Sequence, residues 1–181
     1  GLVGSEMCIR DSLRSIREEK YPNIKIFVVD NNSTDQTKEI ATTFTDKAYN
    51  FGPERSDQRN QGLLKIAVGK CGVYFDADTL LSPEIIQSSV DALEVRPAHS
   101  SLYIDEIILG RTSSVGVHRF KRSFYMASVV DDSRLFRAET LVQLASYSKN
   151  FFWELRIGCD HATSSAKGAE IGERCVVPYH V

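Results

Sequence analysis

Hydrophobic and polar positions follow two different periods along the chain, and their alternation predicts strands separated by helices. Residues 24–29 and 72–75 are short apolar runs of the length expected for buried strands. Between these runs, Ile40, Ala41 and Phe44 recur at helical spacing and form one apolar face. Strands that alternate with helices are typical of an α/β domain with a doubly wound, mostly parallel sheet.

Capping residues mark where two of the helices are expected to begin. The Ser33 hydroxyl is predicted to accept the amide N–H of Gln36, whose side chain reaches back to complete a capping box. Ser82 and Pro83 suit the N-cap and the first position of a later helix. The inward positions of that helix are Ile85, Ile86, Val90 and Leu93. The other expected elements are helices over residues 13–20, 55–68, 117–126 and 138–145, strands over 47–51 and 175–177, and a strand or connector over 102–109.

Two carboxylates one residue apart, Asp76 and Asp78, follow the apolar run at residues 72–75. In an extended strand, residues two apart point to the same face, so both side chains can converge on one hard cation. Open α/β sheets bind ligands at the carboxyl edge of their strands. Mg²⁺ or Mn²⁺ held there keeps positions open for the phosphate oxygens of a substrate. A polar turn after a strand is the alternative interpretation, because Asp is common in turns.

The composition is that of an ordinary globular domain and argues against several functional classes. The 181 residues are 42% hydrophobic and 25% charged, with a net charge of −2, so no global field favours nucleic acid or an anionic membrane. No apolar run approaches the roughly 20 residues needed to span a bilayer. The cysteines lack metal-ligand spacing, and buried free thiols in a reducing cytoplasm are their simplest explanation.

Three motifs occur in a specific order along the chain. They are VVDNNSTD over residues 28–35, GPERSDQRNQG over residues 52–62, and the D-x-D pair Asp76 and Asp78. This set resembles the nucleotide-sugar-binding half of glycosyltransferase family 2, the inverting enzymes with a GT-A fold. The resemblance implies a Rossmann-like nucleotide-diphospho-sugar transferase domain over residues 13–181. It continues more loosely through residues 103–110, 119–125, 130–134 and 152–160.

The resemblance implies sugar transfer from a nucleoside-diphosphate-sugar donor to the hydroxyl of a saccharide or lipid-linked acceptor. Asp76 and Asp78 would bind Mg²⁺ or Mn²⁺ and the donor diphosphate, with Asp78 coordinating most directly. Asp30 would contact the base or ribose of the nucleotide, and a turn-forming role is its alternative. Arg59 either meets the substrate or pairs with a carboxylate and supports the loop.

Inversion requires a general base that takes the proton from the acceptor hydroxyl as its oxygen attacks the anomeric carbon. Asp160 occupies that place by resemblance, with Glu154 as the second choice and a helix N-cap as the other role for Asp160. Cys159 stands where the family usually has Glu, which departs from the pattern. His180 lies where relatives place a His that completes the metal shell, and a structural or exposed His is the alternative.

A set of basic residues in the second half of the chain has two interpretations. It could meet an anionic acceptor or the donor diphosphate, or it could form a solvated face. No aromatic-interleaved basic platform suggests a nucleic-acid partner. The residues are Arg111, His118, Arg119, Lys121, Arg122, Arg134 and Arg137.

The ends of the chain depart from the family pattern. Residues 1–12, GLVGSEMCIRDS, resemble the translation of a sequencing-library adapter, and we leave them out of functional reasoning. Relatives begin with an apolar strand, whereas residues 13–20 have the pattern of the helix that follows it. We therefore expect a single GT-A domain over residues 13–181 that lacks its first strand and is truncated at both ends. The parent protein is expected in the cytoplasm, where peripheral association with the inner face of the membrane is compatible with the family.

Two rival functions stay open at the level of sequence. The segment FDADTL over residues 75–80 resembles the D-x-D-x-T loop of haloacid-dehalogenase-type phosphatases, but Leu80 stands where that loop needs Thr. The second rival is an inactive, truncated domain that binds nucleotide at most weakly. The missing first strand and Cys159 favour this second rival for the polypeptide itself.

Overall fold

A computed structural model gives the structure of the chain and describes residues 5–52, 55–66, 69–109, 113–123, 133–145 and 174–178. Within these ranges, helices and strands alternate over most of the chain, as the sequence pattern predicts. The elements in order are α1 (Ser5–Arg17), β1 (Val28–Asp30), α2 (Thr37–Phe44), β2 (Ala48–Asn50), α3 (Arg55–Ile66), β3 (Cys71–Val73), α4 (Ile85–Glu94), β4 (Ser101–Leu102), β5 (Asp105–Leu109), α5 (Ser113–Ser123), β6 (Leu135–Arg137), α6 (Ala138–Ala145) and β7 (Arg174–Pro178).

The strands of the described ranges form three small sheets, of which two are parallel and one is antiparallel. β1 pairs with β2 in parallel, and β5 pairs with β7 in parallel. β6 lies between β3 and β4 and runs antiparallel to both. Parallel pairing is thus present in two of the sheets, and the antiparallel strand β6 separates two strands that precede it in the chain.

Two apolar clusters of the described residues are flanked by the same side chains. The larger cluster packs α4 against Leu102, Ile104 and Leu135, and the smaller one packs α1 and α2 around Ile26. Ile16 and Ile24 contact both clusters. Each fully buried Leu or Ile contributes on the order of 1.5–3 kcal/mol of hydrophobic stabilisation. All four inward positions expected for α4 are buried: Ile85, Ile86, Val90 and Leu93.

Both predicted helix caps are wrong. Helix α2 begins at Thr37 after an N-cap at Gln36 that has no side-chain cap bond. The expected capping bond from the amide N–H of Gln36 to Ser33 is replaced by a bond from that amide to Glu6 Oε1 at 3.2 Å, and the Ser33 hydroxyl donates to the carboxylate of Asp30. Helix α4 begins at Ile85, and the residue before it, Glu84, adopts a left-handed conformation with φ of 71°.

Arg137 joins β6 to the end of α4. Its guanidinium donates to the carbonyl oxygens of Leu93 at 2.5 Å, Arg96 at 3.3 Å and His99 at 2.9 Å. The last carbonyls of a helix lack partners within the helix, and a cation stabilises the negative end of the helix dipole. Arg137 therefore has a structural position and is not part of a substrate-facing basic surface.

None of the helices in the described ranges is long and apolar enough to cross a membrane.

Candidate active site

The D-x-D pair lies on a tight turn that follows strand β3. The amide N–H of Thr79 donates to the carbonyl oxygen of Asp76 at 3.0 Å, which closes the turn around Asp78. The expected extended strand through the pair is wrong, because β3 ends at Val73. The amide of Tyr74 still donates to the carbonyl oxygen of Arg134 at 3.2 Å, and the turn follows two residues later. The turn leaves Asp78 exposed and the Asp76 side chain 42% exposed.

Helix α1 anchors the chain on the far side of this turn. The Ser15 hydroxyl donates to the carbonyl oxygen of Ser12 at 2.7 Å and accepts the amide N–H of Leu81 at 3.1 Å. Thr79, between the turn and this anchor, is buried. The D-x-D turn is therefore fixed by a buried residue and by a hydroxyl from a helix that lies more than 60 residues earlier in the chain.

Two arginines from different elements meet the Asp76 carboxylate. Arg59 Nη2 on α3 lies 2.8 Å from Asp76 Oδ1. Arg134 Nη1, directly before β6, lies 3.6 Å from Asp76 Oδ2. Of the two roles considered for Arg59, the structure gives it the pairing with a carboxylate.

Both arginines lie against the aromatic ring of Tyr74. The guanidinium carbon of Arg59 lies 5.0 Å from the centroid of Tyr74, and that of Arg134 lies 4.9 Å from it. These are distances at which a cation is attracted to the face of a tyrosine ring. The Tyr74 ring in turn stacks with Phe136, at 6.4 Å between centroids and 14° between planes. The stacked rings of Tyr74 and Phe136 therefore form an apolar surface against which both guanidinium groups pack.

Glu106 is a buried carboxylate beneath the same cluster. Arg134 Nη2 lies 2.5 Å from Glu106 Oε1, and the Glu106 side chain is only 5% exposed. The sequence analysis missed Glu106, Tyr74 and the pairing of Arg134. Strand β5 begins with two acidic residues, Asp105 and Glu106, and the sequence alone does not distinguish which of them is buried.

Asp30 ends strand β1 and forms a turn. Its carboxylate accepts the amide N–H of Ser33 at 2.7 Å and the Ser33 hydroxyl at 2.5 Å. Its carbonyl oxygen accepts the amide N–H of Phe51 at 2.9 Å, which ties the turn to the residue after β2. The structure thus gives Asp30 the turn-forming role, and its contact with a nucleotide stays a prediction.

The negative charge of Asp78 affects the Cys8 thiol near the start of helix α1. Burial raises the pKa of the Cys8 thiol, and the nearby charges of Asp78 and Asp11 raise this pKa further. The direction follows from the charges, because a neighbouring negative charge opposes ionisation of a thiol.

Several predicted site residues lie outside the described residues, namely Asp160, Glu154, Cys159 and His180. Arg111 of the basic set also lies outside them, and nothing is described of the side chains of His118, Lys121 and Arg122. Arg119 donates through Nε to the carbonyl oxygen of Ile108 at 2.5 Å. Arg134 is thus the member of the basic set that the described structure brings to the acidic pair.

The architecture and this acidic turn at a strand end define the class of protein: an α/β domain of the GT-A type. Residues 4–154 match the model of glycosyl transferase family 2, and the chain belongs to that family. The match confirms the resemblance derived from the three sequence motifs.

Two solved structures of TarS from S. aureus have a similar fold. A structure of TarS residues 1–349 has a TM-score of 0.63 at 19% identity, over 84% of this chain and 51% of that one. A second TarS structure has a TM-score of 0.60 at 19% identity, over 98% of this chain and 34% of that one. The chain therefore spans about half or less of the TarS chains that it matches. No curated protein shows significant sequence similarity to the chain.

Proposed function

We propose that the protein transfers a sugar from a nucleoside-diphosphate-sugar donor to an acceptor hydroxyl, with inversion at the anomeric carbon and with the help of a divalent cation. Membership of glycosyl transferase family 2 supports sugar transfer in general. The observation that carries the proposal is the exposed D-x-D turn, in which Asp78 is open to a ligand and Asp76 is held by Arg59 and Arg134.

The residues of the turn fit Mg²⁺ or Mn²⁺. Within the described ranges, no group of three or more His, Cys, Asp or Glu side chains forms a complete protein cage for a metal ion. Mg²⁺ is ordinarily held by only one or two carboxylates together with substrate phosphates and water. Asp78 suits the most direct contact because it is exposed. Asp76, whose two oxygens face Arg59 and Arg134, is retained as the second proposed carboxylate ligand. When bound, the cation would neutralise charge that builds up on the leaving nucleoside diphosphate.

The arginines beside Asp76 supply positive charge at the place proposed for the diphosphate. A guanidinium binds phosphate oxygens well because it presents several N–H donors in a fixed plane. Arg59 is less than one-fifth exposed, so it is oriented by its surroundings and loses little conformational freedom when a donor binds. We assign it to the donor side of the site.

The acceptor side of the reaction depends on residues outside the described ranges. We retain Asp160 as the proposed general base, with Glu154 as second choice, because inversion requires one carboxylate near the acceptor hydroxyl. His180 is retained as a proposed additional metal ligand. The phosphatase alternative has no support from the family match, and Leu80 lacks the hydroxyl that its loop requires.

The proposal is tested by the release of nucleoside diphosphate from a panel of nucleotide sugars. We expect release with Mn²⁺ or Mg²⁺, its loss with EDTA, and a decrease of at least about 100-fold in Asp78→Ala, consistent with the loss of a direct metal ligand. Asp91→Ala, which removes an exposed aspartate of α4, is the matched control and should keep full activity. Unchanged release in Asp78→Ala would refute the metal assignment, and release of phosphate from simple phosphomonoesters would favour a phosphatase instead.

A further inference from the structure

Arg134 occupies a fixed place between the interior of the domain and the D-x-D turn. Its amide N–H donates to the carbonyl oxygen of Leu102 at 3.0 Å, and its carbonyl oxygen accepts the amide N–H of Tyr74 at 3.2 Å. The backbone of Arg134 is therefore held by the chains of both neighbouring strands, directly before the central strand β6. A side chain that starts from such a position is placed more accurately than one on a loop.

The guanidinium of Arg134 connects a buried carboxylate with an exposed one. Its Nη2 meets Glu106 at 2.5 Å, and its Nη1 faces Asp76 at 3.6 Å. The side chains of Glu106 and Arg134 are 5% and 11% exposed, whereas that of Asp76 is 42% exposed. A carboxylate as deeply buried as Glu106 requires a paired cation, because an unpaired buried charge is strongly unfavourable. Glu106 therefore fixes one side of the guanidinium, and the Tyr74 ring fixes its plane.

We propose that Arg134 is a positioning residue of the donor site, which Glu106 and Tyr74 hold in place so that it orients the Asp76 carboxylate together with Arg59. The proposal rests on the donor site assigned above. In this arrangement Arg59 donates a hydrogen bond to Oδ1 at 2.8 Å, and the positive charge of Arg134 faces Oδ2 across 3.6 Å. The contact with Arg134 is electrostatic, because 3.6 Å is longer than a hydrogen bond. Without Arg134, Asp76 loses the positive charge that faces Oδ2, and the orientation of its carboxylate is less strongly favoured.

Residues that orient a ligand of a metal typically change metal affinity or activity by about 10-fold to 100-fold when they are replaced. Loss of Arg134 should therefore weaken binding of Mn²⁺ with UDP by at least about 10-fold. Arg134→Met alone removes the cation that pairs with the buried Glu106 carboxylate, so this variant is expected to be strongly destabilised. The double variant Arg134→Met/Glu106→Gln removes both charges together, so its melting temperature should stay near that of the parent chain.

The experiment measures binding of UDP in the presence of Mn²⁺ by titration calorimetry, together with the melting temperature of each variant. We expect the double variant to fold and to bind at least about 10-fold more weakly than the parent chain. Arg134→Lys keeps the charge but not the planar fork that reaches both carboxylates, so it should restore at most part of the affinity. Arg137→Met is the matched control, because Arg137 lies on the same strand and binds only the end of α4 in the contacts described above.

The outcomes separate this inference from the proposed function. Parent affinity in the folded double variant, or full affinity in Arg134→Lys, would overturn the positioning role while leaving the donor site in place. Failure of the parent chain to bind UDP or any other nucleoside diphosphate with Mn²⁺ would overturn the donor site, and the inference with it. Equal weakening in folded Arg137→Met would show that any disturbance of β6 has this effect, which also contradicts a specific role of Arg134.

Discussion

The acidic residues of the site show how differently a carboxylate can be accommodated. Asp30 is satisfied locally by the backbone and hydroxyl of Ser33, three residues away. Glu106 is buried and requires the distant Arg134. Asp78 is exposed on a turn and keeps its charge available to a ligand. Only the last arrangement leaves a carboxylate open to a cation, which is why Asp78→Ala is the decisive substitution for the proposed function.

The Cys71 thiol, at the start of β3, permits a prediction about how its reactivity depends on folding. Burial raises the pKa of the Cys71 thiol, and Glu94 adds to this effect, whereas Arg137 and Lys70 oppose it. A thiol with a raised pKa stays protonated, and the thiolate is the form that reacts with iodoacetamide. We expect Cys71 in the folded chain to be alkylated several-fold more slowly at pH 8 than in urea, as measured by peptide mass spectrometry.

The same shift has a defined effect on stability. Because the pKa is higher in the folded chain than in the unfolded chain, the stabilising contribution is present at low pH and is lost as pH rises above about 8.5 through the folded value. Cys71→Ser lacks this ionisation and serves as the control in the comparison of stability with pH. Equal alkylation rates in the folded and unfolded chain would contradict the assigned burial.

At the scale of elements, the attachment of α4 to β6 depends on one side chain. Arg137 donates to carbonyl oxygens at and beyond the end of α4, and the strand that carries it pairs with both β3 and β4. Arg137→Met keeps much of the aliphatic stem but removes these donors. We expect a loss of about 1–3 kcal/mol in the free energy of unfolding, since partly buried carbonyls lose charged hydrogen bonds.

This loss can be measured by urea denaturation followed by circular dichroism. Lys25→Met, which removes an exposed cation on the segment before β1, is the control and should change stability by less than about 0.5 kcal/mol. A similar small effect for Arg137→Met would mean that water replaces the guanidinium at the end of α4 without cost.

The elements also show what the sequence pattern can and cannot predict. Helix α6 has the bounds expected from its periodicity, and every expected inward position of α4 is buried, because apolar spacing reports directly on burial. The cap predicted at Ser33 was wrong because the amide N–H of Gln36 donates to Glu6, which is 30 residues away in the sequence and which a local pattern does not reveal. The antiparallel direction of β6 depends on how the chain returns to the sheet, which local spacing does not specify.

For the whole molecule, the place of the acidic pair directly after a strand was predictable, whereas its contacts were not. An apolar run followed by Asp76 and Asp78 is a local signal, and their role as a metal site stays a prediction. The cluster of Asp76, Arg134 and Glu106 unites residues from three separate parts of the chain, and any of several arginines had the chemistry to complete it. Such pairings depend on the tertiary arrangement of β3, β5 and β6 rather than on any one segment.

The residues that contact both apolar clusters predict that these two clusters unfold together. Leu93 is fully buried in the larger cluster, and Leu93→Ala should cost about 2–5 kcal/mol, because it removes buried surface and leaves a cavity. Since Ile16 and Ile24 contact both clusters, the smaller cluster around α1 should lose the same stability.

We expect urea transitions followed by circular dichroism and by reactivity of the Cys8 thiol on α1 to shift together. Val95→Ala, an exposed aliphatic residue at the end of α4, is the control and should shift neither probe. A shift in circular dichroism alone would mean that the clusters unfold separately and that helix α1 does not depend on the larger core.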